Sequence, residues 1–131
     1  MMASRPLVRR ISLWGPVVAY VVMIFYFSSL SRIAWAAAYP DYLEHGVEYA
    51  GLAVLLARAL NRGLRRPFSM RVLLLTFLLC VAYGASDEFH QKFVPNRFAD
   101  VTDVLSDSLG AAAGLAVVSL GRRILAVGGA Q

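Results

Sequence analysis

Two segments contain most of the residue types that bind metals, exchange protons or hold polar ligands. The first is "DYLEHGVE" at residues 41–48, and the second is "SDEFHQKFVPNRFADVTDVLSD" at residues 86–107. Carboxylates, imidazoles and guanidinium groups can bind ions or form hydrogen bonds with a polar ligand. The candidate residues for one polar, ligand-binding site are Asp41, His45, Glu48, Asp87, Glu88, His90, Gln91, Arg97, Asp103 and Asp107.

A divalent metal is one ligand that these side chains could hold. His45 and His90, with Asp87 and Glu48, supply the nitrogen and oxygen ligands that zinc and other transition metals accept. The sequence has no H-E-x-x-H motif, and Cys80 is its one cysteine. We therefore expect no cofactor, keep the metal as the alternative, assign no catalytic residue and favour binding over catalysis.

The helices that position these residues are predicted to lie in a membrane. The chain has 131 residues, of which 59% are hydrophobic and 16% are charged, whereas about a quarter are charged in a soluble domain. About 20 helical residues cross the ~30 Å hydrocarbon core of a bilayer. Apolar stretches at about 11–31, 43–60, 72–88 and 103–120 predict a single domain, residues 1–131, folded as an all-α bundle of four transmembrane helices.

The first apolar stretch has a second interpretation. Arginines precede it and "AWAAA" follows it, as in a secretory signal with a small-residue cleavage site. The apolar core of such a signal is about 7–15 residues long. Because this stretch is longer, we expect it to be retained as the first transmembrane helix.

The charges are divided between the two sides of the predicted bundle. Basic residues flank the stretches on one side, and lie at Arg5, Arg9, Arg10, Arg58, Arg62, Arg65, Arg66, Arg71, Arg122 and Arg123. All the acids lie on the other side, with both histidines, Arg32, Lys92 and Arg97. The positive-inside rule places the arginine side, and with it both termini, in the cytoplasm. This division explains the net charge of +5 without a nucleic-acid partner.

Three of the acids are expected at one depth inside the membrane. Counting about 1.5 Å per helical residue places Glu48, Asp87 and Asp107 roughly 6–8 Å below the outer interface. A charge at the centre of a membrane helix costs about 2.5–3.5 kcal/mol, and less near the interface. We therefore expect these acids to converge on a shared polar site, where partner side chains, water or protonation would reduce the cost of their charges.

Helical spacing supports this convergence. Asp103, Asp107, Gly110 and Gly114 follow the i, i+4, i+7, i+11 pattern of one helix face. Gly110 and Gly114 form a G-x-x-x-G motif, which allows two helix backbones to approach closely. The glycine face could pack within the chain, or pair two copies in a homo-oligomer.

A salt-bridge network is the structural alternative to a ligand site. His45, Lys92 and Arg97 could neutralise the acids. Arg97 could also bind a phosphate head group, to which guanidinium binds in a bidentate manner. The sequence leaves these roles open, and also whether residues 89–102 dip back into the membrane.

The combined motifs resemble those of VanZ-like membrane proteins. "SDEFHQKFVPNR" followed by "DVLSDSLGAAAG" carries the resemblance, together with "FYFSS" and "DYLEHGVEYAGLAVLLARAL", over most of residues 13–115. The family often has glycine where this chain has Asn96. The family is named for a protein linked to low-level resistance to teicoplanin, a glycopeptide antibiotic.

The resemblance implies a multi-pass protein of the bacterial inner membrane. Its polar site would then face the cell envelope and bind or modulate an envelope component: a glycopeptide, a lipid-linked glycan or a lipid head group. The alternatives are a small intramembrane metal-dependent hydrolase and an assembly partner that packs through its glycine face. The expected partner in every case is the lipid bilayer.

Overall fold

Four helices make up the described chain. The computed structural model describes the backbone of residues 4–31 and 41–128, and the side chains of residues 6–31 and 42–124. The helices are α1 (Ser4–Ser28), α2 (Asp41–Leu60), α3 (Met70–Gln91) and α4 (Val101–Gly128). The described residues include no strand, which confirms the all-α prediction. Asp41 begins α2, but its side chain lies outside the described part, as does Arg32.

Three of the four helices are long and apolar enough to cross a membrane. The three apolar segments are Pro6–Ser28, Met70–Gln91 and Val101–Ile124. Their length and composition identify a membrane protein. α2 falls outside this group because it contains Glu44, Glu48 and Arg58 within 20 residues. Its role as a fourth transmembrane helix stays a prediction, as does the side of the membrane on which the termini lie.

α2 lies at the centre of the bundle, where it packs against α1, α3 and α4. Tyr49, Ala53 and Ala57 of α2 are completely buried. The outer helices instead expose large apolar side chains, including Val18, Val22, Leu74, Leu78, Leu105 and Leu109. Since apolar side chains are the ones that lipid accepts, the outer helices suit a bilayer, and they bury His45 of α2.

The contact between α2 and α4 depends on small residues. A Cβ atom added at Gly110 would overlap the backbone carbonyl of Gly46, and one added at Gly114 would overlap that of Ala50. Small residues at this spacing allow two helix backbones to touch. The glycine face therefore packs within the chain, and any homo-oligomer would need a different surface.

The arginines gather at the end of the bundle where α2 leads into α3. The Nη2 atom of Arg9 donates to the carbonyl of Arg62 at 3.2 Å, and the Nε atom of Arg122 donates to that of Arg65 at 3.1 Å. These bonds tie α1 and α4 to the α2–α3 connection. The acidic residues occupy the opposite end, near the connection between α3 and α4.

The α3–α4 connection spans residues 92–100 and turns at Asn96. Asn96 has a φ of +61°, in the left-handed region that glycine and asparagine adopt more readily than other residues. The amide of Arg97 donates to the carbonyl of Val94 at 3.2 Å and closes the turn. Asparagine at this position therefore preserves the backbone conformation that glycine would permit.

Candidate functional site

A narrow cleft opens between the helices at the acidic end. It has a volume of about 10 Å³, close to the space that one water molecule needs. Its lining comes from α1, α2, α3 and the α3–α4 connection, and consists of Phe27, Ser28, Glu44, His45, Glu48, Asp87, Gln91 and Arg97. Five of these lining residues had been predicted as site residues: His45, Glu48, Asp87, Gln91 and Arg97.

His45 and Asp107 form the polar link between α2 and α4. The Nδ1 atom of His45 lies 2.9 Å from Oδ1 of Asp107, and both side chains are buried. The second oxygen of Asp107, Oδ2, has no hydrogen-bond partner among the described residues. It lies beside α3, where a Cβ atom at Gly84 would come within 2.6 Å of it. The absence of a side chain at Gly84 therefore leaves room for the Asp107 carboxylate.

Asp87 and Gln91 lie one turn apart on α3 and face α1. The Nε2 atom of Gln91 donates to Oγ of Ser28 at 3.2 Å and to Oδ2 of Asp87 at 3.4 Å. Oδ1 of Asp87 is buried and has no partner in the described part of the chain. Because nearly all buried polar atoms are hydrogen-bonded, such an oxygen is suited to accept a bond from water or from a ligand.

Glu48 joins these acids from α2. It lines the cleft with Asp87 and lies within electrostatic range of His45, Asp87 and Asp107. Glu48 and Asp87 therefore line one small volume from two helices, and Asp107 of α4 lies within electrostatic range of Glu48. Neighbouring ionised carboxylates repel one another in a low-dielectric interior, so a hydrogen-bond donor placed among them would be favoured.

Glu88 lies beside the cleft and holds the beginning of α4. Its Oε1 atom accepts a hydrogen bond from the backbone amide of Asp100 at 2.6 Å. Asp100 in turn accepts a bond from the amide of Thr102 at 2.9 Å, which is the arrangement of a helix N-cap. Glu88 thus fixes the residue from which α4 begins, and Asp103 follows, buried, in the first turn of that helix.

Arg97 holds the end of α1. Its Nε atom donates to the carbonyl of Leu30 at 3.2 Å, and its Nη2 atom donates to that of Phe27 at 3.3 Å. The last carbonyls of a helix lack partners within the helix and carry a partial negative charge, so a guanidinium group stabilises them. Sequence reasoning missed this role, because no sequence signal relates Arg97 to α1.

His90 lies apart from His45. Its Nε2 atom is 3.0 Å from Oγ of Ser29, and its ring packs 4.7 Å from that of Phe25. Within the described residues, no group of three His, Cys, Asp or Glu side chains is arranged to hold a metal ion. The geometry thus adds no support for a metal shared by both histidines, and that site stays a prediction.

Two serines at the end of α1 belong to the polar cluster and were not predicted as site residues. Ser28 is buried and bonds to Gln91, while Ser29 bonds to His90. The "FYFSS" segment, which belongs to the VanZ-like resemblance, was the signal that could have identified them. The cluster thus extends to α1, beyond the acids and histidines of α2, α3 and α4.

A wider recess adjoins the cleft and shares Arg97 with it. Its volume is about 310 Å³, at the lower end of the range for small-molecule pockets. The recess is lined by Tyr42, Asn96, Arg97, Phe98, Asp100, Thr102 and Asp103. The side chains of Tyr42 and Phe98 are 60% and 90% exposed, so aromatic surface is available beside the acidic cleft.

The chain was compared with known proteins and known families. It has no match among curated proteins or among solved structures. The family model described as VanZ/LLP1 matches residues 8–122, which include α2, α3, most of α1 and α4, and the whole polar cluster. The protein therefore belongs to the VanZ/LLP1 family.

Proposed function

We propose that this protein binds a cell-envelope component that carries hydroxyl or amino groups, such as a glycopeptide or a lipid-linked glycan. The observation that carries the proposal is a cluster of acids: Glu48 and Asp87 line the cleft, and Asp107 contacts His45, which also lines it. Asp87 and Asp107 each contribute a buried oxygen without a partner among the described residues. The cleft and its immediate surroundings are therefore rich in hydrogen-bond acceptors.

Such a cleft favours ligands that donate hydrogen bonds. Sugar hydroxyls and amino groups can donate to the free oxygens of Asp87 and Asp107. A phosphate, which only accepts hydrogen bonds when fully ionised, would meet repulsion from the same carboxylates. Arg97 is less suited to offset this repulsion, because two of its donor groups bond to the carbonyls of Phe27, in the last turn of α1, and Leu30, just beyond that helix. Among the envelope ligands considered, a lipid phosphate head group is thus the least favoured.

The two recesses suggest how a larger ligand would bind. The cleft, of about 10 Å³, admits one small group, and the recess of about 310 Å³ beside it could hold the neighbouring part. Tyr42 and Phe98 expose aromatic rings there, which provide apolar contact area at low entropic cost. Arg97 lies at the boundary of the two spaces and would contact both parts of the ligand.

The proposed orientation places the cleft on the envelope side of the bacterial inner membrane. The arginines collect at the opposite end of the bundle, and the positive-inside rule assigns that end to the cytoplasm. α2 would cross the membrane as the fourth helix, because it packs against the other three helices and they bury His45 and Tyr49. The acid cluster would then lie within reach of envelope components.

The binding test compares single alanine substitutions at the three acids. Teicoplanin and a polyprenyl-linked disaccharide are titrated against the purified protein in detergent, and affinity is measured by calorimetry. Glu48→Ala, Asp87→Ala and Asp107→Ala should each weaken binding by about ten-fold or more, because a hydrogen bond to a charged group contributes about 1.5–3 kcal/mol.

Ser86→Ala is the matched control, since Ser86 is exposed, directly precedes Asp87 on α3 and does not line the cleft. It should change affinity much less, and all four variants should insert into the membrane as the wild type does. If the three cleft variants bind both probes as tightly as the wild type, the cleft is not the binding site.

A further inference from the structure

Two adjoining recesses at the arginine end have no part in the proposed envelope site. One lies between α1 and the end of α2, and the other lies under the α2–α3 connection; each has a volume of about 470 Å³. They share Arg9 and Arg62. The arginines that line the pair are Arg9, Arg10, Arg58, Arg62, Arg65 and Arg66, and neither lining contains an acid.

Among the described residues, no acidic side chain lies near these recesses to balance their positive charge. The acid cluster lies at the far end of α2, whose 20 residues correspond to about 30 Å of helix. Charges interact weakly beyond a screening length of about 8 Å at physiological ionic strength. The recesses are therefore expected to attract an anion from outside the protein.

Backbone contacts hold the arginines in place. Arg9 donates to the carbonyl of Arg62 at 3.2 Å, and Arg58 donates through Nη1 to the carbonyl of Ser12 at 3.2 Å. Arg62 has a φ of +57°, a conformation that a long side chain adopts only where surrounding contacts maintain it. Each guanidinium group has five N–H donors, so those in contact with a carbonyl keep donors for an anion.

Part of the wall of the first recess is apolar. Leu13, Trp14 and Leu60 line it together with Arg9, Arg10 and Arg62. A free phosphate ion would contact the arginines only, whereas a phospholipid has both a phosphate and an apolar part. Tryptophan is also typical of the region where acyl chains meet head groups. The combination of guanidinium groups and apolar wall favours a lipid over a soluble anion.

We propose that these recesses bind the phosphate of an anionic phospholipid, with the apolar part of the lipid against Leu13, Trp14 and Leu60. Arginine binds phosphate through paired, charge-assisted hydrogen bonds. Basic pockets between membrane helices are suited to acidic head groups, and each basic residue near the surface adds to the attraction. This site is independent of the envelope ligand, because it lies at the other end of the bundle.

Trp14 provides a direct reporter of the proposed lipid. The chain has two tryptophans, so Trp35→Phe leaves Trp14 as the sole tryptophan, which is excited selectively over tyrosine. The full-length variant is placed in vesicles that contain brominated phosphatidylglycerol or brominated phosphatidylcholine, at equal mole fraction in an unbrominated phosphatidylcholine background. The mole fraction of each brominated lipid is then varied. Half-maximal quenching of Trp14 should need at least about ten-fold less brominated phosphatidylglycerol than brominated phosphatidylcholine.

Two double variants separate a specific site from general charge attraction. Arg10→Gln/Arg62→Gln removes two arginines of the first recess, whereas Arg71→Gln/Arg123→Gln removes two exposed arginines that line neither recess. The first should abolish the preference for phosphatidylglycerol, and the second should retain it. Equal loss in both double variants would overturn the proposal in favour of diffuse attraction.

Inorganic phosphate distinguishes a lipid from a soluble anion. Phosphate at 50 mM should leave the quenching preference unchanged relative to sodium chloride of equal ionic strength. If phosphate removes the preference and chloride does not, the site takes a free anion and the lipid assignment is wrong. If the Trp35→Phe protein, with all its arginines intact, shows no preference between the two lipids, the proposal also fails, whether or not the double variants fold.

Discussion

His45 of α2 and Asp107 of α4 form a buried contact of 2.9 Å next to the place where the backbones of these helices touch. Gly110, one turn from Asp107, allows α4 to approach the carbonyl of Gly46, the residue that follows His45, and this close approach brings the two side chains together. The polar link and the close packing therefore belong to one helix pair. The His45–Asp107 contact and the close packing of α2 against α4 should depend on each other.

The His45–Asp107 contact should be energetically coupled. His45→Ala and Asp107→Ala should each lower the free energy of unfolding by about 1–3 kcal/mol, because each leaves a buried polar group without its partner. The double variant should lose less than the sum of the two single losses. Unfolding in mixed micelles, followed by circular dichroism, measures all four proteins of this double-mutant cycle. Strictly additive losses would show that the two side chains do not interact.

Gly110 should not tolerate a methyl group. Gly110→Ala places a Cβ atom against the carbonyl of Gly46 and forces the helices apart, which should destabilise the fold by about 1–3 kcal/mol or more. Gly121→Ala is the matched control on the same helix, since a Cβ atom there meets no other atom within 4 Å. It should be neutral or stabilising, because alanine favours helix over glycine by about 1 kcal/mol. Equal effects of the two substitutions on thermal unfolding would contradict the close packing.

Asn96 should accept glycine but not valine. Glycine adopts the φ of +61° freely, whereas a β-branched residue in the left-handed region should cost about 1–2 kcal/mol. Asn96→Val should also shift Arg97 and weaken its bonds to the end of α1. The measurement is thermal unfolding of both variants against the wild type. A valine variant as stable as the glycine variant would argue against a left-handed turn at this position.

The proposed orientation can be tested with single cysteines. Cys80 is the one native cysteine, so Phe98→Cys and Leu64→Cys are each placed in a Cys80→Ala background. Both positions are exposed, at opposite ends of the bundle. A membrane-impermeant maleimide added to spheroplasts should label the Phe98→Cys variant at once and the Leu64→Cys variant only after lysis. The reverse pattern would place the acid cluster in the cytoplasm.

The helical architecture could be predicted because the free energies that determine it are local. Apolar stretches long enough to cross a bilayer predicted the regions of all four helices. The helices themselves extend past several of the predicted limits, as α1 does by beginning at Ser4. Composition marks where the chain can meet hydrocarbon, whereas a helix continues for as long as its own backbone hydrogen bonds are made. The division of charge along the chain likewise followed from residue order alone.

The partners of the polar residues depended on tertiary structure. Helical periodicity placed Asp107 on the glycine face, but it could not show that His45 would meet one of its oxygens and Gly84 would lie beside the other. Nor could it relate Arg97 to the end of α1, nearly 70 residues earlier in the chain.

The sequence by itself determined four helices, their apolar surfaces and the segregation of acids from arginines. Only the tertiary structure decided that α2 would be the central helix and that Glu48 and Asp87 would line one cleft. The physical reason is that spacing along a helix defines which residues share a face. The rotation and the neighbours of that face are set by packing among all four helices.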